Sequence, residues 1–163
     1  MAVLGAVACC NGDTWASELG SVLTNSQPVL ITSLRPVPRG TNGGVTLAGL
    51  VSSALGGLVV GLAHYAGIIL TSVRGDLSRA PSQLWVIFLG ALGGLLGSVV
   101  DSLLGASLQF SGRDRRTGKI VEVAAEGVEP ISGRMVLDNH SVNLLSSIIT
   151  AVSLPHLALS LGL

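Results

Sequence analysis

LWVIFLGALGGLLGSVVDSLLGASL, residues 84–108, runs for a full membrane thickness with Asp101 as its sole charge. About 20 predominantly apolar residues cross a hydrocarbon core at ~1.5 Å of helical rise per residue, so this stretch reads as a transmembrane helix. Residues 45–73 and 141–163 are equally long and carry no Asp, Glu, Lys or Arg. Composition agrees with three spans. The 163 residues are 48% hydrophobic and 11% charged, less than half the ~25% charge of a soluble domain. The expected architecture is therefore all-α, a single integral-membrane domain over 1–163, and an ordinary soluble enzyme is excluded.

The first twenty residues, MAVLGAVACCNGDTWASELG, hold about ten apolar positions before Asn11, Gly12 and Asp13. That is too short to span alone, and it lacks the basic flank and cleavage site of a signal peptide. It reads as the end of a further membrane helix whose beginning is missing, which would make the chain a shortened C-terminal portion. Cys9 and Cys10 are adjacent in this stretch and suggest packing material rather than a disulfide framework.

Positive charge sets the expected sidedness. The loops over 21–44 and 110–140 carry Arg35, Arg39, Arg113, Arg115, Arg116, Lys119 and Arg134, against Arg74 and Arg79 in the short loop 74–83. The first two loops are expected in the cytosol, at an intracellular membrane, with the C-terminus across the bilayer. Asn139-His140-Ser141 then matches a glycosylation pattern by chance. Within 110–140, Lys119 to Val123 alternates weakly, as one arm of a hairpin would. A net charge of +0 argues against nucleic acid as a partner.

Polar residues gather in four places that this topology brings to one membrane surface. Asp101, with Ser102, Gly105 and Gln109, lies roughly 10 Å inside the end of its helix. Gly93, Gly97 and Gly105 share its face, and Gly90 with Gly94 lies nearby. Small residues on such a stripe admit a neighbouring backbone, within the chain or in an oligomer, so Asp101 should face protein rather than lipid. Its plain role is a structural carboxylate bonded to a nearby Ser; its functional role is catalytic or metal-binding, since intramembrane acids are costly.

In the first cluster Asn11, Thr14 and Glu18 share a helical face, with Asp13 and Ser17 as i, i+4 neighbours. This wedge suits a metal-nucleotide complex, or else Asp13 simply caps a helix starting near Thr14. Gly40-Thr41-Asn42-Gly43-Gly44 offers closely spaced N–H groups ahead of a helix, as phosphate-binding turns do, although such turns also occur for steric reasons. Asp138 is either an N-cap or a ligand, while Asn139 and Asn143 at i, i+4 place two amides on one face of the last span.

Other chemistries lack support. His64, His140 and His156 have no Cys or acid at metal-ligand spacing. GxSxG and HExxH are absent. Gly112 to Ile120 departs from a phosphate loop in spacing and lacks its hydroxyl residue, so a Walker-type site is rejected.

GDTWASELG, GTNGGV, GSVVDSLLGASLQ and LDNHSVNLLSS, in this order, resemble the integral-membrane family that contains transmembrane protein 19 and plant and cyanobacterial phytyl-phosphate kinase. The resemblance covers nearly the whole chain, and the GD-containing helix is distantly similar to that of phytol and dolichol kinases. It implies transfer of a phosphoryl group from a nucleoside triphosphate, CTP or ATP, to a prenyl monophosphate at the cytosolic membrane face, with Mg²⁺ as cofactor and the lipid tail among helices. Matched residue by residue, it implies Asp101 and Glu18 as catalytic, Asp13, Asp101 and Asp138 as metal ligands, and Gly40, Asn42, Gly43, Gly44, Asn139 and Asn143 as substrate- and nucleotide-binding. Arg113, Arg115, Arg116 or Lys119 would meet nucleotide charge. A non-catalytic scaffold, an inactive fragment or a transporter-like protein are the alternatives. The transporter needs polar residues through to the far side, where the spans are instead rich in Leu, Val and Ala.

Overall fold

The computed structural model describes residues 1–72 and 82–163. Most of the expected loop 74–83, with Arg74 and Arg79, lies outside the described residues. Helices α1 (Ala2–Leu23), α2 (Leu47–Thr71), α3 (Trp85–Leu108) and α4 (Asn139–Ser160) carry the membrane part. Three of them, α2, α3 and α4, are long and apolar enough to cross a bilayer.

The main departure from expectation is α1. The helix neither stops at Asn11 nor starts at Thr14, but runs unbroken through the polar cluster, so Asp13 is not an N-cap. Its polar residues survive mid-helix because the bundle satisfies them. Asn11 Nδ2 donates to the Gly56 carbonyl of α2 at 2.8 Å, and Ser98 Oγ of α3 lies 3.4 Å from Asp13 Oδ1. In hydrocarbon an unpaired polar group costs several kcal/mol, so these contacts decide whether such a helix can sit there. Helix α1 packs on α2, α3 and α4, and α3 likewise on the other three.

Glycine replaces the usual apolar interior. A Cβ on Gly12 would lie 2.7 Å from Gly94 Cα, one on Gly20 2.7 Å from Gly49 Cα, and one on Gly61 2.8 Å from the Ile87 carbonyl oxygen. Backbones therefore touch where side chains would normally interpose. Lipid tails are as apolar as Leu, so helices gain nothing from hiding Leu from lipid, and close van der Waals approach holds them instead. Large residues accordingly point outward: Val51, Leu55 and Leu62 on α2, Leu144, Ile148 and Val152 on α4. The larger of the apolar clusters among the described residues, Leu4, Val86, Leu89, Leu154 and Ala158, sits at the end where α1 and α3 begin, and a smaller one joins Leu30 and Val37 to Ala106.

At the other end the connections fold into small sheets. Strands β1 (Val29–Leu30) and β2 (Gly44–Val45) pair antiparallel. Strands β3 (Ser111–Asp114), β4 (Ile120–Val121) and β5 (Val128–Ser132) form a sheet in the order β4-β3-β5. The stretch 112–120 that superficially resembled a phosphate loop is the β3–β4 hairpin. Its turn is closed by Asp114 Oδ1, which accepts from the N–H groups of Arg116 at 2.7 Å and Thr117 at 3.1 Å. Those backbone hydrogen bonds, Thr117 first, hold the Asp114 carboxyl below the usual carboxylate range.

Helix α2 is capped by Thr46, whose side chain accepts from Gly49 N at 3.0 Å, and α4 begins two residues before the expected span because Asp138 caps it. Helix α4 passes through Pro155, which leaves the Ala151 carbonyl without its i+4 donor. Gly5 of α1 packs at this level, its missing Cβ facing the backbone of Thr150 and Ala151.

Candidate functional site

The ends of all four helices and the 40–44 turn enclose a cleft of about 510 Å³. Helix α1 contributes Asp13, Thr14, Ser17 and Glu18; α3 contributes Ser98, Asp101 and Ser102; α4 contributes Asn139 and Asn143. Gly40, Asn42, Gly43 and Gly44 complete the wall beside the start of α2. Residues from four separate sequence clusters thus meet around one space.

Two carboxylates anchor it. Ser146 Oγ lies 3.1 Å from Asp101 Oδ2 and 3.0 Å from the Asn143 carbonyl oxygen, so its single proton is shared between two acceptors. The Asn143 amide is assigned with nitrogen toward Asp101, 3.0 Å from Oδ2 and 3.2 Å from the Asn139 carbonyl oxygen. Among the described residues, every hydrogen bond to the Asp101 carboxylate therefore falls on Oδ2. Asp13 is similar, with Ser98 on Oδ1. The two acids lie close enough to interact electrostatically. Each keeps one oxygen without a protein donor among the described residues, and both line the cleft.

Asp138 stands apart from this pair. It lines a separate recess of about 290 Å³ rather than the cleft. Its Oδ1 accepts from Ser141 N at 2.8 Å, and hydrogen bonding from Ser141 holds the exposed carboxyl below the usual carboxylate range. Among the described residues no three His, Cys, Asp or Glu side chains come together as a metal-ligand group, so the trio Asp13, Asp101 and Asp138 does not form. The donor set that remains suits a hard cation, because Mg²⁺ is commonly held by one or two carboxylates with substrate phosphates and water completing the octahedron. Asp13 and Asp101 would hold it.

The 40–44 turn is tied to its surroundings more than its sequence suggests. Asn42 N donates to Ser111 Oγ at 3.0 Å, Thr41 N to the Pro38 carbonyl oxygen at 3.3 Å, and Gly44 N to that of Thr41 at 3.0 Å. Asn42 Nδ2 reaches Glu122 Oε1 at 3.3 Å on the β-sheet side. Gly43, at φ +77, lies against Ala106 of α3, where any side chain would collide. The turn clamps the end of α3, and three of its N–H groups are already satisfied.

Arg113, Arg115, Arg116 and Lys119 are not in the cleft lining. They occupy the exposed β3–β4 hairpin, where Arg115 pairs loosely with Glu129 at 3.9 Å. The basic residue of the lining is Arg39, whose guanidinium donates to the carbonyl oxygens of Ser21, Thr24 and Ser26 and so straps the end of α1 to the following loop. Pro36 and Pro38 precede it in sequence, a loop signal that gave no hint of this role. Ser98 and Ser146 carry no sequence signal of their role either, since a Ser within an apolar helix looks like packing until its neighbour is known.

Fold and cleft together define a multi-pass membrane protein with a one-sided polar site at the ends of its helices. The model of the family described as integral membrane protein DUF92 matches residues 1–151, and the chain belongs to that family. Protein PGR of Arabidopsis thaliana is 49% identical over 150 residues, which cover 91% of this chain and 51% of that protein. An uncharacterised membrane protein of Methanocaldococcus jannaschii is 28% identical over 149 residues, 91% of this chain and 47% of its own. Another, from a Synechocystis strain, is 34% identical over 97 residues, 60% of this chain and 33% of its own. The chain thus spans about half the length of the first two relatives, and no solved structure matches it.

Proposed function

We propose that the cleft is a phosphotransfer site for an amphiphilic monophosphate, with a nucleoside triphosphate, CTP or ATP, as donor and a prenyl monophosphate as acceptor. The observation that carries this reading is the pair Asp13 and Asp101, which line one cleft at an end of a membrane bundle and each keep one carboxylate oxygen without a protein donor among the described residues. Phosphoryl transfer asks little covalent chemistry of a protein and much positioning of charge. In the reaction the acceptor's phosphate oxygen forms a new bond to the γ-phosphorus while the β–γ bridging bond breaks, giving a prenyl diphosphate and a nucleoside diphosphate.

Asp13 and Asp101 would hold Mg²⁺, which would supply positive charge to the phosphate oxygens. Ser146 and Asn143 orient the Asp101 carboxylate, and Ser98 orients that of Asp13. Asn139 and Glu18 stand at the cleft wall, suited to hold the acceptor phosphate and to take up its proton. The lateral apolar surface of the bundle suits the lipid tail, and a cytosolic orientation would supply the nucleotide. For a chain half the length of its relatives, these roles describe the site it contributes.

A second reading, a membrane scaffold, draws support from the same bonds, because Ser146 and Asn143 are what a purely structural Asp101 would use. Calorimetry of detergent-solubilised protein with CTP and with ATP, each with and without Mg²⁺, separates the two. Metal-dependent binding lost in Asp101→Asn and in Asp13→Asn, with unchanged melting, is the expected result. No binding by folded wild-type protein would favour the scaffold.

A further inference from the structure

Between β5 and α4 the chain passes through Arg134-Met135-Val136-Leu137. The N–H groups of Val136 and Leu137 both donate to the Leu108 carbonyl oxygen, at 3.1 and 3.0 Å, and Asn139 then starts α4. This segment is thereby fixed at the level where two apolar spans end, α3 on one side and α4 on the other. Nevertheless Met135 is 64% exposed and Val136 62%, and Val123, which lines the same recess, is 61% exposed. Nothing in the described protein covers them.

We propose that this rim, formed by Val123, Met135 and Val136, is inserted into the interfacial layer of the bilayer and anchors the β3–β4–β5 sheet to the lipid surface. Only Leu137 and Asp138 separate Val136 from the start of α4, a helix long and apolar enough to cross a bilayer whose Leu144 and Ile148 are also exposed, so a bilayer around α4 begins within a few residues of the rim. The chemistry grades as an interface requires. Exposed Arg134 adjoins the apolar side chains and can reach lipid phosphates, whereas the charged hairpin residues Arg115, Arg116 and Lys119 lie on another part of the sheet. The three apolar side chains are clustered around one recess, which distinguishes them from apolar residues scattered singly over a water-facing surface. The recess behind the rim shares Asn42, Gln109 and Asn139 with the polar cleft, so lipid contact at the rim also braces a cleft wall.

The test uses the whole chain in phosphatidylcholine vesicles. In a Trp15→Phe, Trp85→Phe background, Met135→Trp and Val123→Trp are compared with Glu129→Trp on exposed β5, using lipids brominated near the headgroup end of the acyl chain. Quenching at 135 and 123 several times that at 129 is expected. Equal, weak quenching at all three positions overturns the proposal. Should the double Phe background not fold, a nitroxide on Met135→Cys in a Cys10→Ser chain gives the same decision: greater accessibility to oxygen than to a water-soluble nickel chelate supports insertion, and the reverse overturns it.

Discussion

The two ends of the helix bundle are built on different physics. Where α1 and α3 begin, Leu4, Val86, Leu89, Leu154 and Ala158 interlock as ordinary apolar side chains. Where they finish, small residues bring the backbones together, and carboxylates, amides and hydroxyls occupy the space between them. The first end is closed and needs only shape. The second leaves a cleft, and Asn11, Asp13, Asp101 and Asn143 are admitted beside it because each finds at least one partner. A membrane protein can thus hold a polar site at depth by moving the burden of cohesion to glycine contacts in the middle of the bundle.

The strongest way to break this picture is to fill the middle. A Cβ on Gly94 would run into the Ser53 carbonyl oxygen and the Gly57 backbone, all of it main chain that cannot rotate aside. Overpacking usually costs ~1–3 kcal/mol and more where nothing yields. Gly94→Leu is expected to abolish the folded bundle in a detergent melt, whereas Gly67→Leu, with open space around its Cβ position, is expected to leave melting unchanged. Equal melting of the two variants would show that close backbone approach is not what holds the helices.

Next in size comes the closed end. Leu89 is fully buried in the apolar cluster, and Leu→Ala changes cost ~2–5 kcal/mol in soluble cores. In a bilayer the transfer part of that cost largely disappears, because the unpacked side chain would sit in lipid rather than water, leaving the lost contacts. Leu89→Ala is therefore expected near the bottom of that range, about 2 kcal/mol, with ligand binding at the cleft intact. Destabilisation well above that figure would mean the closed end excludes water, as a soluble core does.

These contrasts also account for what could be read from the sequence. The three spans were legible because a run of about 20 apolar residues matches the bilayer in length and is too apolar for a surface in water. The Gly93 and Gly97 stripe correctly turned Asp101 inward. Helix α1 was half legible: its polar residues looked like an end because Asn11 and Asp13 are costly in isolation, and their partners Gly56 and Ser98 lie far away in sequence. Asp138 remained ambiguous between cap and ligand for the same reason that one carboxylate serves both; the nearby Ser141 N–H resolves it. Arg39 was invisible, since its role depends on three carbonyl groups, which every residue possesses.

At the open end the expected effects are smaller in stability and larger in function. Ser146→Ala removes one donor from Asp101, a loss of about 1 kcal/mol on the scale of membrane hydrogen bonds. If the cleft is the nucleotide site proposed above and Asp101 is poised by that bond, nucleotide affinity should fall more than melting does; parallel small losses would favour a structural carboxylate. The comparison of melting with binding in a single variant is what separates holding the bundle together from holding a ligand.

The smallest effect lies in the β3–β4 hairpin, whose turn is closed by hydrogen bonds rather than by glycine contacts. Asp114 accepts from Arg116 and Thr117, and this depresses its folded-state pKa relative to the unfolded chain. The stabilisation is fully present above the unfolded value of about 3.9 and is lost as pH falls through the lower, folded value. At neutral pH the hairpin turn is therefore insensitive to small changes in acidity. An NMR titration should find the Arg116 and Thr117 amide shifts moving together below about pH 4, with a midpoint lower than that of an ordinary exposed Asp. A midpoint at the ordinary value would mean the turn is held by its strands, through Asp114 N and Lys119 O, rather than by the side chain that caps it.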